Sequence, residues 1–147
     1  MQPFRFNLEH VLSWNRKLVE VEESRFQSLY ASLRQVQVGI AELKAERLAV
    51  EQGVVRKANP SAQDLAALGP YRIRVTARDR DLGIEQRRRQ QLLDEQRDKL
   101  VALQRRVKLL EKLRDRRLEE YTYSMDKELE AIAAEAYMAR LIGESHA

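Results

Sequence analysis

The chain has no cysteine, and its 147 residues include only five glycines and three prolines. The absence of cysteine excludes disulfide bonds, thiolate metal sites and cysteine nucleophiles. Aromatic residues make up only 6% of the chain, whereas charged residues make up 34%. With so few turn-forming and aromatic residues, the composition is typical of long helices with a thin apolar seam and not of a compact globule.

Long apolar runs are also missing. No stretch of about 18 apolar residues occurs, so the sequence excludes a membrane-spanning helix and predicts no direct membrane insertion. The first ten residues lack the apolar core of a signal peptide. We therefore expect a cytoplasmic protein.

The sequence lacks the usual signs of catalysis. Its two histidines, His10 and His146, have no neighbour at metal-ligand spacing. A glycine-rich phosphate loop, a nucleophile elbow and paired buried carboxylates are all missing. We therefore predict that the protein is not an enzyme and holds no cofactor and no metal ion.

Charge is distributed unevenly. Residues 72–117 contain sixteen basic and eight acidic side chains, whereas residues 118–147 contain two basic and seven acidic ones. The arginines are interspersed with acidic residues, which favours a solvated helix face joined by salt bridges. Binding to an acidic protein surface is the second interpretation. Nucleic-acid binding is disfavoured, because no aromatic residue lies among the arginines to stack bases.

The main positive signal is a heptad repeat in the first third of the chain. One row of seven-residue spacing is Leu12, Val19, Phe26, Leu33, Ile40, Arg47 and Val54, and the interleaved row is Leu8, Asn15, Glu22, Leu29, Val36, Leu43 and Val50. Such a seam needs a partner helix of comparable length. A break at Asn59-Pro60 and another at Gly69-Pro70 predict that the chain folds back and supplies that partner itself.

We therefore predict an all-α fold in a single domain, 1–147: an antiparallel two-helix coiled-coil hairpin whose second helix is longer and overhangs. The first helix should cover about residues 7–57, the turn region 58–70 and the second helix about 71–142. Within the turn, Ser61 and Asp64 predict a capping box for a short helical segment. Arg89 interrupts the second seam, and a four-residue shift after Leu110 predicts a stutter at about Arg114.

A second apolar stripe lies beside the first seam, at Val11, Trp14, Leu18 and Val21. It either widens the buried face or forms an exposed docking patch.

Three segments of the chain resemble a known family. They are Phe4-Arg5-Phe6-x-Leu8-x-x-Val11-Leu12 followed by Arg16; Val107-x-x-Leu110-Glu111-Lys112-Leu113-Arg114-Asp115-x-Arg117-Leu118-Glu119-Glu120-Tyr121; and Lys127-Glu128-Leu129-Glu130-x-Ile132-Ala133. They are similar to the FliJ family of the flagellar type III export apparatus. The resemblance covers nearly the whole chain, including the hairpin and the longer second helix.

The resemblance implies a monomeric stalk protein at the cytoplasmic side of the inner-membrane export apparatus. Such a stalk enters the hexameric flagellar export ATPase and links it to a membrane export-gate protein. It also implies a chaperone-like role with export substrates or export chaperones. Our hypothesis assigns ATPase binding to the open end, at Phe4, Phe6, Val11, Trp14, Leu18, Arg114, Arg117, Leu118, Tyr121, Met125, Leu129 and Ile132. The end near the turn, with Val54, Tyr71, Val75 and Leu82, would face the export gate.

Two alternatives stay open. A stalk protein of an injectisome would have nearly the same sequence features. A homodimeric coiled-coil scaffold would pair its helices between chains, including through a domain swap.

Overall fold

The computed structural model describes residues 2–57 and 59–146; the terminal residues and residue 58 of the predicted turn lie outside the described part. Two helices are present, α1 over Glu9–Val55 and α2 over Ala62–Ser145, and the described residues contain no strand. The two helices pack antiparallel against each other, which confirms the predicted all-α fold. The bounds of α1 lie within two residues of the predicted ones.

The start of α2 corrects the sequence prediction. The helix begins at Ala62 and continues through Gly69 and Pro70, so the turn does not extend to residue 70 and the second helix does not start at 71. Proline usually crowds the Cβ of the residue before it and the carbonyl one turn back. Gly69 has no Cβ, which removes the first of these clashes.

The predicted capping box is present at the start of α2. The Ser61 Oγ accepts a hydrogen bond from the Asp64 backbone amide at 3.0 Å, and Asp64 Oδ2 accepts one from the Ser61 amide at 3.2 Å. The Lys57 ammonium group lies 3.0 Å from the same carboxylate oxygen. The contact with Lys57 lowers the pKa of Asp64 the most, and the two hydrogen bonds with Ser61 lower it further. The box caps a helix of 84 residues and not the short segment that we expected.

The chain divides into two compact units. Unit 2, Glu20–Val101, contains the connection between the helices. Its core is a thin seam that α1 and α2 share, with the buried apolar residues Leu33, Val36, Leu43, Val75, Leu93 and Leu100. The heptad rows therefore predicted the buried face of this unit.

Polar cross-links fix the register of unit 2. The Gln96 side chain is buried and donates to the Glu22 backbone carbonyl at 3.1 Å and to the Glu22 carboxylate. Arg89, the predicted interruption of the seam, donates to the Ser32 carbonyl at 2.8 Å and to the Glu85 carboxylate at 2.7 Å. The bonds to Glu22 and Ser32 join α2 to α1, whereas the bond to Glu85 lies within α2. Sliding one helix along the other would break the bonds that join them.

Unit 1 comprises Met1–Val19 and Ala102–Ala147. In its α1 segment Leu12 is completely buried, and Asn15 is buried as well. The Asn15 side-chain amide is satisfied there, because it donates to the Val11 carbonyl at 2.7 Å. On α2 the half-buried residues Val107, Arg114 and Tyr121 keep unbroken heptad spacing. The predicted stutter is therefore wrong for the packed part of the unit, where Leu118 is 38% exposed.

Candidate docking surface

The segment before α1 packs on α2 in unit 1. The Phe4 ring lies 5.6 Å from the Tyr121 ring at an interplanar angle of 52°. The Tyr121 hydroxyl donates to the Gln2 carbonyl at 2.5 Å. The Arg114 guanidinium lies 6.0 Å from the centre of the Phe4 ring, and its Nε donates to Glu9 at 3.0 Å. These contacts hold the N-terminal segment against α2 and explain why polar and aromatic residues extend the seam.

Ion pairs add less to this packing than the aromatic rings. Arg16 and Glu111 approach to 3.1 Å, but about half of each side chain is exposed. The Glu9–Arg114 pair is exposed to a similar extent. Exposed pairs of this kind contribute about 0–1 kcal/mol each, because water screens them. The Phe4–Tyr121 contact is therefore the stronger anchor of the segment.

The anchored segment leaves a shallow cavity of about 420 Å³ beside it. Phe4 and Tyr121 form its apolar side, and Arg5, Arg117 and Glu120 supply its charges. Several residues that the sequence assigns to a partner surface thus meet at one place. Phe4 and Tyr121 are half-buried there, whereas Arg117 is exposed.

The stripe beside the first seam is exposed. Trp14 is 64% exposed and Val11 44%, while Leu18 is half-buried. Of the two interpretations of this stripe, the exposures favour the docking patch, since a widened buried face would cover the indole. Exposed apolar residues grouped on one face mark interaction sites more often than scattered ones do.

The distal part of α2 in unit 1 has no covering element among the described residues. We call residues 122–145 the free helix. Apart from the half-buried Met125, every described residue from 122 onward is exposed. Large apolar side chains are among them, with exposures between 42% and 62%: Tyr123, Leu129, Ile132, Tyr137, Met138, Leu141 and Ile142. A single helix in water gains little stability from its own backbone, so this apolar surface favours a partner.

Charge changes sign along unit 1. Residues 1–19 and 102–117 together contain ten basic and three acidic side chains, whereas residues 118–146 contain two basic and seven acidic ones. The paired part of the unit is therefore strongly basic and the free helix is acidic. The sequence revealed this contrast, but it did not reveal that both parts belong to one compact unit.

The residues assigned to the export gate lie in unit 2. Val54, Tyr71 and Leu82 are half-buried, and Val75 is only 6% exposed. Val75 is therefore corrected from a contact residue to a core residue, because its side chain closes the seam. Nearby exposed apolar residues were missed: Val55 is 78%, Ile73 72% and Leu65 55% exposed. Each lies off the heptad rows, so no buried-face pattern could identify it.

Tyr71 combines burial with an unsatisfied group. Its hydroxyl oxygen is buried, and no hydrogen-bond partner for it occurs among the described residues. Burial raises the pKa of Tyr71, and the negative charges of Glu46 and Glu51 raise it further. The residue lines an open cavity of about 440 Å³ between Leu43 and Arg78.

Among residues 2–57 and 59–146, no group of three acidic or histidine side chains is arranged to hold a metal ion. Over the same residues, neither helix has the length and apolar content that crossing a bilayer requires. Comparisons with protein-family models, with curated proteins and with solved structures found no match.

Proposed function

We propose that the chain is a stalk protein of the flagellar type III export apparatus that binds the hexameric export ATPase through unit 1. One observation carries the proposal. Phe4 belongs to the first segment of the FliJ-like resemblance, and Arg114 and Tyr121 belong to the second. The three side chains form one cluster, with Phe4 packed on the Tyr121 ring and under the Arg114 guanidinium.

The surface of unit 1 suits a partner that moves around it. Each helix is about 10 Å wide, so a pair is thin enough for a central pore. Its exposed charges make contacts worth about 0–1 kcal/mol each, and many weak contacts allow a ring to hold the stalk without locking it. The exposed Trp14 and the apolar side chains of the free helix supply the less polar part of the contact.

Unit 2 carries the proposed contact with the membrane export-gate protein. The exposed side chains Val55, Leu65 and Ile73 replace Val75 as the residues that we assign to it. The same surfaces serve the chaperone-like role with export substrates and their chaperones. The protein acts at the cytoplasmic side of the inner membrane, attached through its partners.

ATPase stimulation by purified protein tests the proposal. We expect the full chain to bind the export ATPase and raise its turnover, and deletion of residues 122–147 to abolish both effects. Circular dichroism checks that the shortened chain stays helical. Leu48→Ser, which alters an exposed residue of unit 2 outside the proposed contacts, is the matched control and should stimulate normally.

A full chain that binds neither the flagellar ATPase nor its injectisome counterpart would contradict the proposed function, whereas undiminished stimulation by the shortened chain would contradict the role of the free helix in ATPase binding. Running the assay with a flagellar and an injectisome ATPase separates the two export systems. Stimulation of the injectisome enzyme alone would replace the flagellar assignment by its closest alternative.

A further inference from the structure

Two surfaces of unit 1 have opposite charge and complementary apolar content. The first, which we call the basic face, combines Val11, Trp14 and Leu18 of α1 with Leu109 and Leu113 of α2. Trp14 and Leu109 are 64% and 67% exposed. The second surface is the free helix, with exposed apolar residues such as Leu129 and Ile132.

The residues of the basic face lie on one side of the seam. The Arg16–Glu111 ion pair marks the opposite side. In an antiparallel pair with this register, the positions that flank the seam on the other side are Val11 and Leu18 on α1 and Arg106 and Leu113 on α2. Basic side chains border this apolar area. They are Lys17, Arg105, Arg106, Lys112 and Arg116.

The free helix has the complementary pattern. At 3.6 residues per turn, Met125, Leu129, Ile132 and Ala136 share one face. Acidic residues flank that face on both sides, with Glu128 and Glu135 on one side and Asp126 on the other. An acidic amphipathic helix is the kind of partner that an apolar patch with a basic border binds, since both the apolar and the charged contacts are favourable.

The free helix cannot reach the basic face of its own molecule. Helix α2 is continuous from Ala62 to Ser145, so residues 122–145 extend away from the segment that bears Leu109 and Leu113. A second copy can supply the contact, because the free helix and the paired α2 segment of unit 1 have similar lengths, about 35 Å and 30 Å at 1.5 Å per residue. Antiparallel pairing about a two-fold axis near Tyr121 matches each free helix to the basic face of the other copy.

We propose that the protein self-associates as a reciprocal dimer in which the acidic free helix of each copy docks on the basic face of the other. The dimer does not depend on the export-apparatus assignment. It uses the same surface that we assign to the ATPase, so dimerisation and ATPase binding compete. The monomer implied by the family resemblance is then the dissociated form.

Analytical ultracentrifugation of the full chain over a wide concentration range tests the dimer. We expect a monomer–dimer equilibrium that weakens as salt rises, because salt screens the charged borders. Trp14→Ser and Leu129→Ser should each raise the dissociation constant by about tenfold or more, a loss of about 1.4 kcal/mol. Leu48→Ser, similarly exposed at 57% but in unit 2 and outside every proposed contact, should leave it unchanged.

Charge exchange gives the sharper result. One variant carries Glu128→Lys with Glu135→Lys, and the other carries Arg106→Glu with Lys112→Glu. Each alone should be monomeric, because both contacts of its dimer become repulsive. Their mixture should dimerise, since each contact then joins opposite charges. Circular dichroism verifies that all variants keep their helices.

A chain that sediments as a monomer at every concentration and salt would overturn the proposal. So would a mixture of the two charge variants that does not associate, or a Leu48→Ser variant that weakens the dimer as much as Trp14→Ser.

Discussion

The rings of Phe4 and Tyr121 pack 5.6 Å apart, although all of α1 and more than half of α2 separate them in sequence. Tilted aromatic pairs of this kind contribute about 0.5–1.5 kcal/mol beyond their burial. We expect a double-mutant cycle of Phe4→Ala and Tyr121→Ala, measured by urea unfolding, to give a coupling energy in that range.

The same pair should protect the N-terminal segment from hydrogen exchange. Tyr121→Ala removes both the ring contact and the hydrogen bond to the Gln2 carbonyl, so the Glu9 amide, which donates to the Phe6 carbonyl at 3.1 Å, should exchange faster. Tyr137→Ala, an exposed tyrosine of the free helix, is the control. Equal exchange in both variants would mean that Tyr121 does not hold the segment.

Gln96 should be sensitive to shortening but tolerant of an apolar replacement. Gln96→Ala leaves the Glu22 carboxylate without this donor and opens a gap in the seam. We therefore expect the free energy of unfolding to fall by about 1–3 kcal/mol. Gln96→Leu refills the seam and should cost much less. Thermal unfolding measures both, with the exposed Gln91→Ala as the reference. A cost for Gln96→Ala no greater than that for Gln91→Ala would contradict the cross-link.

Tyr71→Phe should stabilise the protein. The Tyr71 hydroxyl oxygen is buried without a partner among the described residues, and an unpaired polar group of this kind destabilises the fold. Removing it should raise the urea midpoint, whereas Tyr137→Phe in the exposed free helix should not. A lower midpoint for Tyr71→Phe would indicate that the hydroxyl is hydrogen-bonded.

Tyr71 also predicts a pH dependence. Its pKa lies above the usual 10.0 in the folded chain, so the unfolded chain releases this proton first as the pH rises. The wild type should therefore lose stability as the pH rises above 10.0, and Tyr71→Phe should lose less. Equal slopes in the two proteins would rule out a contribution from this residue.

The capping box should contribute fully above pH 3.8 and lose its contribution in strong acid. Ser61→Ala removes the acceptor for the Asp64 amide and should cost about 1 kcal/mol. Because the pKa of Asp64 is lowered from 3.8, its contribution is complete above that pH and is lost as the pH falls through the folded-state pKa. Asp64→Ala should therefore flatten the acid limb of the stability curve, and Asp126→Ala in the free helix should not.

The pattern of the sequence was enough to predict the helices and their antiparallel pairing. Buried positions recur every three or four residues along α1, and Leu33, Val36 and Leu43 are buried as their rows predict. The capping box also followed from local chemistry, since Ser61 and Asp64 need only each other. Such features depend on spacing alone, which a single sequence displays.

Other features depended on contacts that spacing does not show. Pro70 resembles a helix stop, but Gly69 before it relieves part of the crowding and α2 continues. Arg114 and Tyr121 do not look like seam residues, because part of their packing comes from Gln2 and Phe4 in the non-helical segment before α1. The spacing of Trp14 fits both a buried and an exposed side chain, and only the packing of the two helices leaves the indole 64% exposed.

The short connection between the helices has a consequence for how the chain folds. Unit 2 contains the connection and both of its flanking helical segments, so its first contacts, such as Lys57 with Asp64, close loops of only a few residues. Unit 1 must bring Glu9 to Arg114, and the entropy lost on closing a loop grows with its length. Helix pairing therefore begins at the connection and proceeds away from it. The surface of unit 1 that we assign to partners forms last and is the first to unfold.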